Sequence, residues 1–402
     1  MKTKKRNIII IAIIILTNLF TFLLTGTGIL RLKHHYVYKA DTSEIAASVD
    51  KFALLENSIQ KNFYKKVSIQ KVSDEAYKGM FKSLGDKYSI YYDKREYNKL
   101  NEEISGSYYG IGVVLSEDEQ KNAYIASVMK DSPAEKAGLK SGDIIKSVNG
   151  KIYLKKGASA VAKKVRSKTS SSYVNLTVLR NNQEKNFKVR RTSVKNATVA
   201  SQTFERDGKK IGYIYITEFA KNTDKEFATQ LALLRKQKIQ GLIIDLRENG
   251  GGIVDTSVNI CDQLISKGKV VSTKGRNGND EDYQATSKNQ VKLPMVILVN
   301  EHTASASEIL TGAMQDYKKA TIIGTQTFGK GIVQGVTSLQ DGTGYQLTIA
   351  QYYTPKGRNI NKKGITPDIV VSQGNASANY LTQNDLQFEK AIEVLTSKIS
   401  NK

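Results

Sequence analysis

The sequence predicts an α/β protein with a β-rich module set into it, a helical N-terminal segment and one apolar N-terminal span. Three observations lead there. Apolar strands such as "GLIIDL", "MVILVN" and "ATIIGT" mix with helical runs across residues 192–372, the pattern of an α/β core. Residues 101–191 alternate polar and apolar side chains and carry repeated turn signals. Residues 7–30 contain no charged side chain. A chain of 402 residues has room for two to three domains and a sizeable core.

The N-terminus opens with "MKTKKRN", four cationic side chains that form a basic tip over residues 1–6. The uncharged run 7–30 follows, and about 20 apolar residues suffice to span a bilayer as a helix. A cleaved signal peptide would have a shorter apolar run and a small-x-small cleavage site, which "TGTGIL" matches poorly. The segment therefore reads as an uncleaved, single-pass transmembrane anchor. Its basic tip belongs in the cytoplasm and everything from Arg31 onward outside it.

Residues 31–100 form the N-terminal helical region. In "TSEIAASVDKFALLENSIQKNF" and "DEAYKGMFKSL" apolar residues recur at three- and four-residue spacing, as in amphipathic helices. The C-terminal segment 373–402 ends in "QNDLQFEKAIEVL", another short amphipathic helix.

The formal charge of +23 suits attraction to a polyanion, or a lysine-rich surface that keeps the protein soluble. No compact interleaving of arginine with aromatics is present to stack bases, so a membrane or wall surface fits better than nucleic acid. One cysteine, Cys261, excludes an intramolecular disulfide and any multi-cysteine metal site. Three histidines, two of them beside the apolar span, argue against a histidine metal centre.

In the β-rich module, "GSYYGIGVVL" is a glycine-bearing loop running into a strand. "DSPAEKAGLKSGDIIKSVNG" then supplies a capping-box pattern, Ser132 with Glu135, and Pro133 at the first helical position. Gly138 closes that helix, and Asn149-Gly150 makes a hairpin turn. In this combination residues 101–191 resemble a PDZ domain. The resemblance implies that the backbone N–H groups of Tyr109, Gly110, Ile111 and Gly112 receive a peptide's terminal carboxylate, while the peptide adds as a strand to the sheet edge.

The chemistry centres on "NEHTASASEILTGAMQDY". Ser and Thr are good N-caps, and Glu308 near a helix start suits the dipole, so Ser305 and Ser307 have a plain structural reading. Three features add a chemical one. "DLRENGGG" ends an apolar strand with a glycine run whose N–H groups can turn toward an oxyanion. "GTQTFGKGIVQGV" places Lys330 between glycines, which suits a buried amine whose charge is disfavoured and which can serve as a base. Finally, no histidine is well placed: His34 and His35 abut the apolar span, and His302 is only three residues from Ser305. Elimination points to Lys330 as the proton acceptor, a known variation on the serine triad.

With "GIGVVL", "DLRENGGG", "TASASEIL", "TFGKGIVQ" and "YYTPKGRNINKKGITPDIVV" in order, the chain resembles the carboxyl-terminal processing peptidases, the tail-specific serine proteases, from about residue 50 to its end. The resemblance implies a crotonase-like core with the PDZ domain inserted. Ser305 is then nucleophile, Lys330 general base and Gln334 the residue orienting the lysine. The backbone N–H groups of Ala306 and of Gly251, or its neighbour, become the oxyanion donors. It also implies cleavage near substrate C-termini, substrates with apolar tails, and no cofactor, and it leaves self-association open. Many relatives carry proline where Gly250 stands and serine where Thr303 stands, and neither change removes a reacting group. The alternative is a catalytically silent, peptide-binding or scaffolding relative on the same fold, which would lack the Ser-Lys pair.

Overall fold

The structure is a computed structural model that describes residues 43–167, 172–195, 197–278, 280–286, 290–373, 381 and 384–401. The anchor expected at 7–30 lies outside these residues. Among the described residues no helix is long and apolar enough to cross a membrane. The chain divides into two units, one of residues up to 97 with 336–347, the other of 98–335 with 348–401.

The first unit is the helical segment expected from the spacing of apolar residues. Helix α1 (Ser43–Asn62) precedes α2 (Ile69–Lys82), whose N-cap Ser68 accepts the Lys71 N–H. The short strand β1 (Ile90–Tyr92) pairs antiparallel with residues 344–346. Tyr91 is buried there and stacks edge-on against Tyr77. Helix α3 (Lys94–Ser105) carries the chain into the second unit.

Strand β2 (Ser107–Gly110) pairs with β9 (Thr192–Lys195), so the two ends of the β-rich module are tied together. Between them lie β3 (Val113–Glu117), β4 (Ala123–Val128), α4 (Pro133–Lys136), β5 (Ile144–Val148), β6 (Lys151–Ile152), α5 (Ala158–Val165), β7 (Tyr173–Arg180) and β8 (Gln183–Arg190). The five longer strands form one antiparallel sheet in the order β3-β4-β5-β7-β8, with β3 at its edge. The cap reads as the sequence predicts: Ser132 Oγ accepts the Glu135 N–H. Glu135, however, reaches back to the Asp131 N–H rather than to that of Ser132. Asn149 and Gly150 both have positive φ, as a two-residue hairpin turn requires.

The α/β core is a six-stranded sheet in the order β10-β11-β12-β15-β16-β19, with strands β10 (Val199–Arg206), β11 (Lys209–Ile216), β12 (Gly241–Asp245), β15 (Met295–Val299), β16 (Ala320–Gly324) and β19 (Ile369–Val370). All neighbours after the first pair are parallel. Every residue of β12 and β15 is buried, because both sheet faces are covered. Leu242, Ile244 and Ile297 meet α6 (Thr223–Lys236), α7 (Val254–Leu264) and α8 (Ala306–Asp316) on one face. Ile243, Val296 and Leu298 point the other way, onto α9 (Leu386–Ser400). The C-terminal helix is thus a layer of the core and not an appended tail: its Phe388, Ala391, Ile392 and Leu395 are buried against the sheet. Burying Phe388, Ile392 and Leu395 contributes about 1.5–3 kcal/mol each. Strands β13 (Gly268–Gly275), β14 (Glu281–Ala285), β17 (Ile332–Ser338) and β18 (Gly344–Tyr353) build, with β1, a second, five-stranded sheet.

Candidate active site

Three adjacent parallel strands end on one sheet edge, and a candidate segment follows each. Arg247–Gly252 follows β12, Asn300–Ser305 follows β15, and Thr325–Lys330 follows β16. In parallel α/β sheets this carboxyl edge is where ligands bind.

Ser305 stands immediately before α8 with φ 56° and ψ −116°, a conformation costly for a residue with a Cβ. Its side chain is half-buried. Ser307, by contrast, is fully buried, and its Oγ donates to the Asn249 carbonyl at 3.1 Å, which is the packing role a capped helix predicts.

Glu308 joins the second and third segments. It is fully buried, and its carboxylate accepts four hydrogen bonds. One oxygen takes the Ser305 and Lys330 N–H groups, both at 2.9 Å. The other takes Thr327 Oγ1 at 2.6 Å and the Gly329 N–H at 2.8 Å. The backbones of Ser305 and Lys330 are therefore held within about two hydrogen-bond lengths of each other. Burial raises the Glu308 pKa, and the four donors oppose that rise. Lys330 itself is half-buried, and its carbonyl accepts the Tyr352 hydroxyl. Gln334 lies on β17 and bonds the Ile332 carbonyl at 3.3 Å and Thr348 Oγ1 at 3.4 Å. His302 is 60% exposed, its Nε2 4.0 Å from a Glu301 carboxylate oxygen.

The glycine loop meets the serine directly. A Cβ placed on Gly251 (φ +99°) would sit 2.8 Å from Ser305 Cβ and 2.9 Å from the Ala306 nitrogen, so only glycine fits. The Gly251 N–H donates to Asn249 Oδ1 at 2.9 Å. Below the loop, Arg247 is fully buried between Asp245 and Asp385, bonding them at 2.6 and 2.7 Å, while Tyr213 donates to Asp245. Burial opposes the Arg247 charge, but the two carboxylates overcome it and raise its pKa. The sequence reading missed this network. "DLR" before the glycines was its only local signal, since Asp385 lies 138 residues further on. Glu308 was legible as a charge favourable at a helix start, but its bond to Lys330 was not.

In the β-rich module, Ile111 and Gly112 line a groove of about 340 Å³ between β3 and α5, with Val113, Leu115, Ala158, Ala162 and Val165. Tyr109 and Gly110 are not among its lining residues; both are paired in β2 with β9.

The profile of peptidase family S41 matches residues 210–371, and that of the PDZ domain residues 107–190. Together they define a PDZ-bearing serine peptidase. The "Probable CtpA-like serine protease" of Staphylococcus epidermidis is 37% identical over 404 residues, 98% of this chain and 79% of that protein. A protein of the same name from Staphylococcus aureus is 38% identical over 331 residues, 81% of this chain and 65% of that protein. The solved photosystem II D1 C-terminal processing protease aligns with a TM-score of 0.50 at 28% identity, covering 89% of this chain and 97% of that one. The chain belongs to peptidase family S41, among its C-terminal processing serine peptidases.

Proposed function

We propose that Ser305 and Lys330 form the catalytic dyad of an endopeptidase that cleaves proteins near their C-termini. The observation that carries this is the Glu308 carboxylate, which binds the backbone of both residues although 25 positions separate them in sequence. Neutral Lys330 accepts the Ser305 proton as Oγ attacks the scissile carbonyl. The Lys330 ammonium then protonates the leaving amine; the neutral Lys330 amine next takes a proton from water, which attacks the acyl-enzyme, and returns that proton to Ser305 Oγ as the ester bond breaks. The Ala306 N–H at the start of α8, with Gly251 or a neighbouring glycine, stabilises the oxyanion. Gln334 orients Lys330, for which its amide must turn from its present partners in the hairpin. The parallel sheet with its flanking helices is compatible with a crotonase-like core. No step calls for a cofactor.

The PDZ groove receives substrate tails. Its apolar lining favours a chain ending in an apolar residue, and the backbone around Ile111 and Gly112 receives the carboxylate. A peptide with a free C-terminus should bind by calorimetry more tightly than its amide. Residues 7–30 anchor the protein, with the peptidase outside the cytoplasm. The supporting feature is an uncharged run behind a basic tip. On intact cells with a permeable wall, external protease should digest the body of the chain.

The decisive experiment incubates the full chain in detergent with an unstructured protein and maps the products by mass spectrometry. New ends near the substrate C-terminus are expected, and Ser305→Ala or Lys330→Ala should abolish them. Cleavage at the normal rate by either variant would refute the dyad. Absence of cleavage by the unmodified chain, with peptide binding retained, would favour the silent scaffold.

A further inference from the structure

We propose that Asn249 is a positioning residue for the oxyanion site: it fixes the glycine loop against Ser305 and holds the Gly251 N–H until the oxyanion takes it. The inference rests on the readings of Ser305 as nucleophile and of Gly251, among the neighbouring glycines, as the oxyanion donor. Asn249 is fully buried and uses its backbone and side chain together. Its N–H donates to the Leu246 carbonyl at 3.2 Å, and its carbonyl accepts the Ala304 N–H at 3.0 Å and Ser307 Oγ at 3.1 Å. Its Nδ2 donates to the Ile216 carbonyl at 2.8 Å, at the end of β11. Its Oδ1 accepts the Gly251 N–H at 2.9 Å. One side chain thus braces the loop after β12 against the end of β11 while the backbone bonds it to the segment carrying Ser305.

The clearance explains why such bracing matters. Gly251 lies so close to Ser305 and Ala306 that no Cβ fits between them, and a small drift of the loop would move a donor off the reacting carbonyl. A buried N–H left without an acceptor is costly, and Asn249 Oδ1 supplies one. A developing oxyanion is charged and competes well against a neutral amide oxygen for the same donor. Asn249 therefore acts through Gly251 and need not touch substrate.

The test compares the unmodified full chain with Asn249→Ala in detergent, using a fluorogenic peptide, a peptide boronate and a non-cleavable C-terminal peptide for the PDZ groove. The expected result is a fall in kcat of about 100-fold, the size seen when one oxyanion donor is lost. Boronate affinity should fall with it, while KM and PDZ-peptide affinity stay within about twofold. Unchanged kcat overturns the proposal, as does a loss spread equally over kcat, KM and peptide binding. Should Asn249→Ala fail to fold, the unmodified chain decides: with glycine labelled by ¹⁵N, the Gly251 amide resonance should shift when the boronate binds. An unmoved resonance overturns the proposal. Ser305→Ala and Lys330→Ala separate this from the reading beneath it. If they are inactive while Asn249→Ala is fully active, only the role of Asn249 fails; if they remain active, the nucleophile itself is misassigned.

Discussion

The Glu308 carboxylate accepts the Lys330 N–H at 2.9 Å, and the same oxygen accepts the N–H of Ser305. It clamps the two backbones together. It sets where the two side chains start, and so what they can reach.

Glu308→Gln replaces one acceptor oxygen by a donor, so two of the four N–H or O–H groups around it lose their partner. Each buried group left unpaired costs about 1–3 kcal/mol. We expect kcat to fall more than tenfold, KM to hold, and thermal stability to drop. Full activity with lowered stability would mean that the clamp supports the fold alone.

Ser305 occupies a conformation that glycine adopts at less cost than a residue with a Cβ. Ser305→Ala and Ser305→Gly should both be inactive, but the glycine variant should be the more stable by about 1 kcal/mol. Denaturant melts of the two variants measure this. The opposite order would show that the serine backbone carries no strain.

Lys330→Arg should be inactive, because a guanidinium does not give up its proton in proteins. His302→Ala should keep most activity, since that imidazole points largely to solvent. Kinetics of the two variants are enough. An active Lys330→Arg enzyme would remove the lysine from the mechanism.

Burial opposes the charge on Asp385, but Arg247 and the N–H groups of Phe388 and Leu381 outweigh it, so its pKa lies below the usual aspartate value. Between that lowered pKa and about 3.9 the unfolded chain binds the extra proton. The Asp385 contribution to stability is therefore full above about pH 3.9 and is lost as pH falls through the folded pKa. Asp385→Asn should cost about 3 kcal/mol at neutral pH, because it leaves buried Arg247 with one carboxylate. The gap between variant and unmodified chain should narrow below about pH 4. Urea melts at pH 7 and pH 3 would show a constant gap if the carboxylate charge were irrelevant.

Much of the molecule was legible in advance because its signals are local. The cap at Ser132, the Asn149-Gly150 turn and the helices Ser43–Asn62 and Ile69–Lys82 each follow from residues within four positions of one another, whereas the helix Lys94–Ser105 runs across residue 100, where the sequence pattern placed the end of the helical region. The role given to α9 was less complete. Its apolar stripe was visible, but a stripe does not say what covers it, and the sheet face it covers is contributed by β11, β12, β15 and β16. Lys330 stood out through its flanking glycines. Asn249 did not, since a single asparagine before a glycine run reads as turn chemistry.

By itself the sequence determined the kinds of elements, their order, the inserted module and the candidates Ser305 and Lys330. Helix and strand periods are written in consecutive side chains, and turns and caps need particular residues at fixed offsets. Only the tertiary structure decided that the loops after β12, β15 and β16 share one sheet edge. It also decided that Glu308 bonds Lys330 across 22 residues and Arg247 bonds Asp385 across 138. Such bonds have no period and no fixed spacing. They exist because parallel strands bring distant loops side by side, where buried polar groups must find partners in one another.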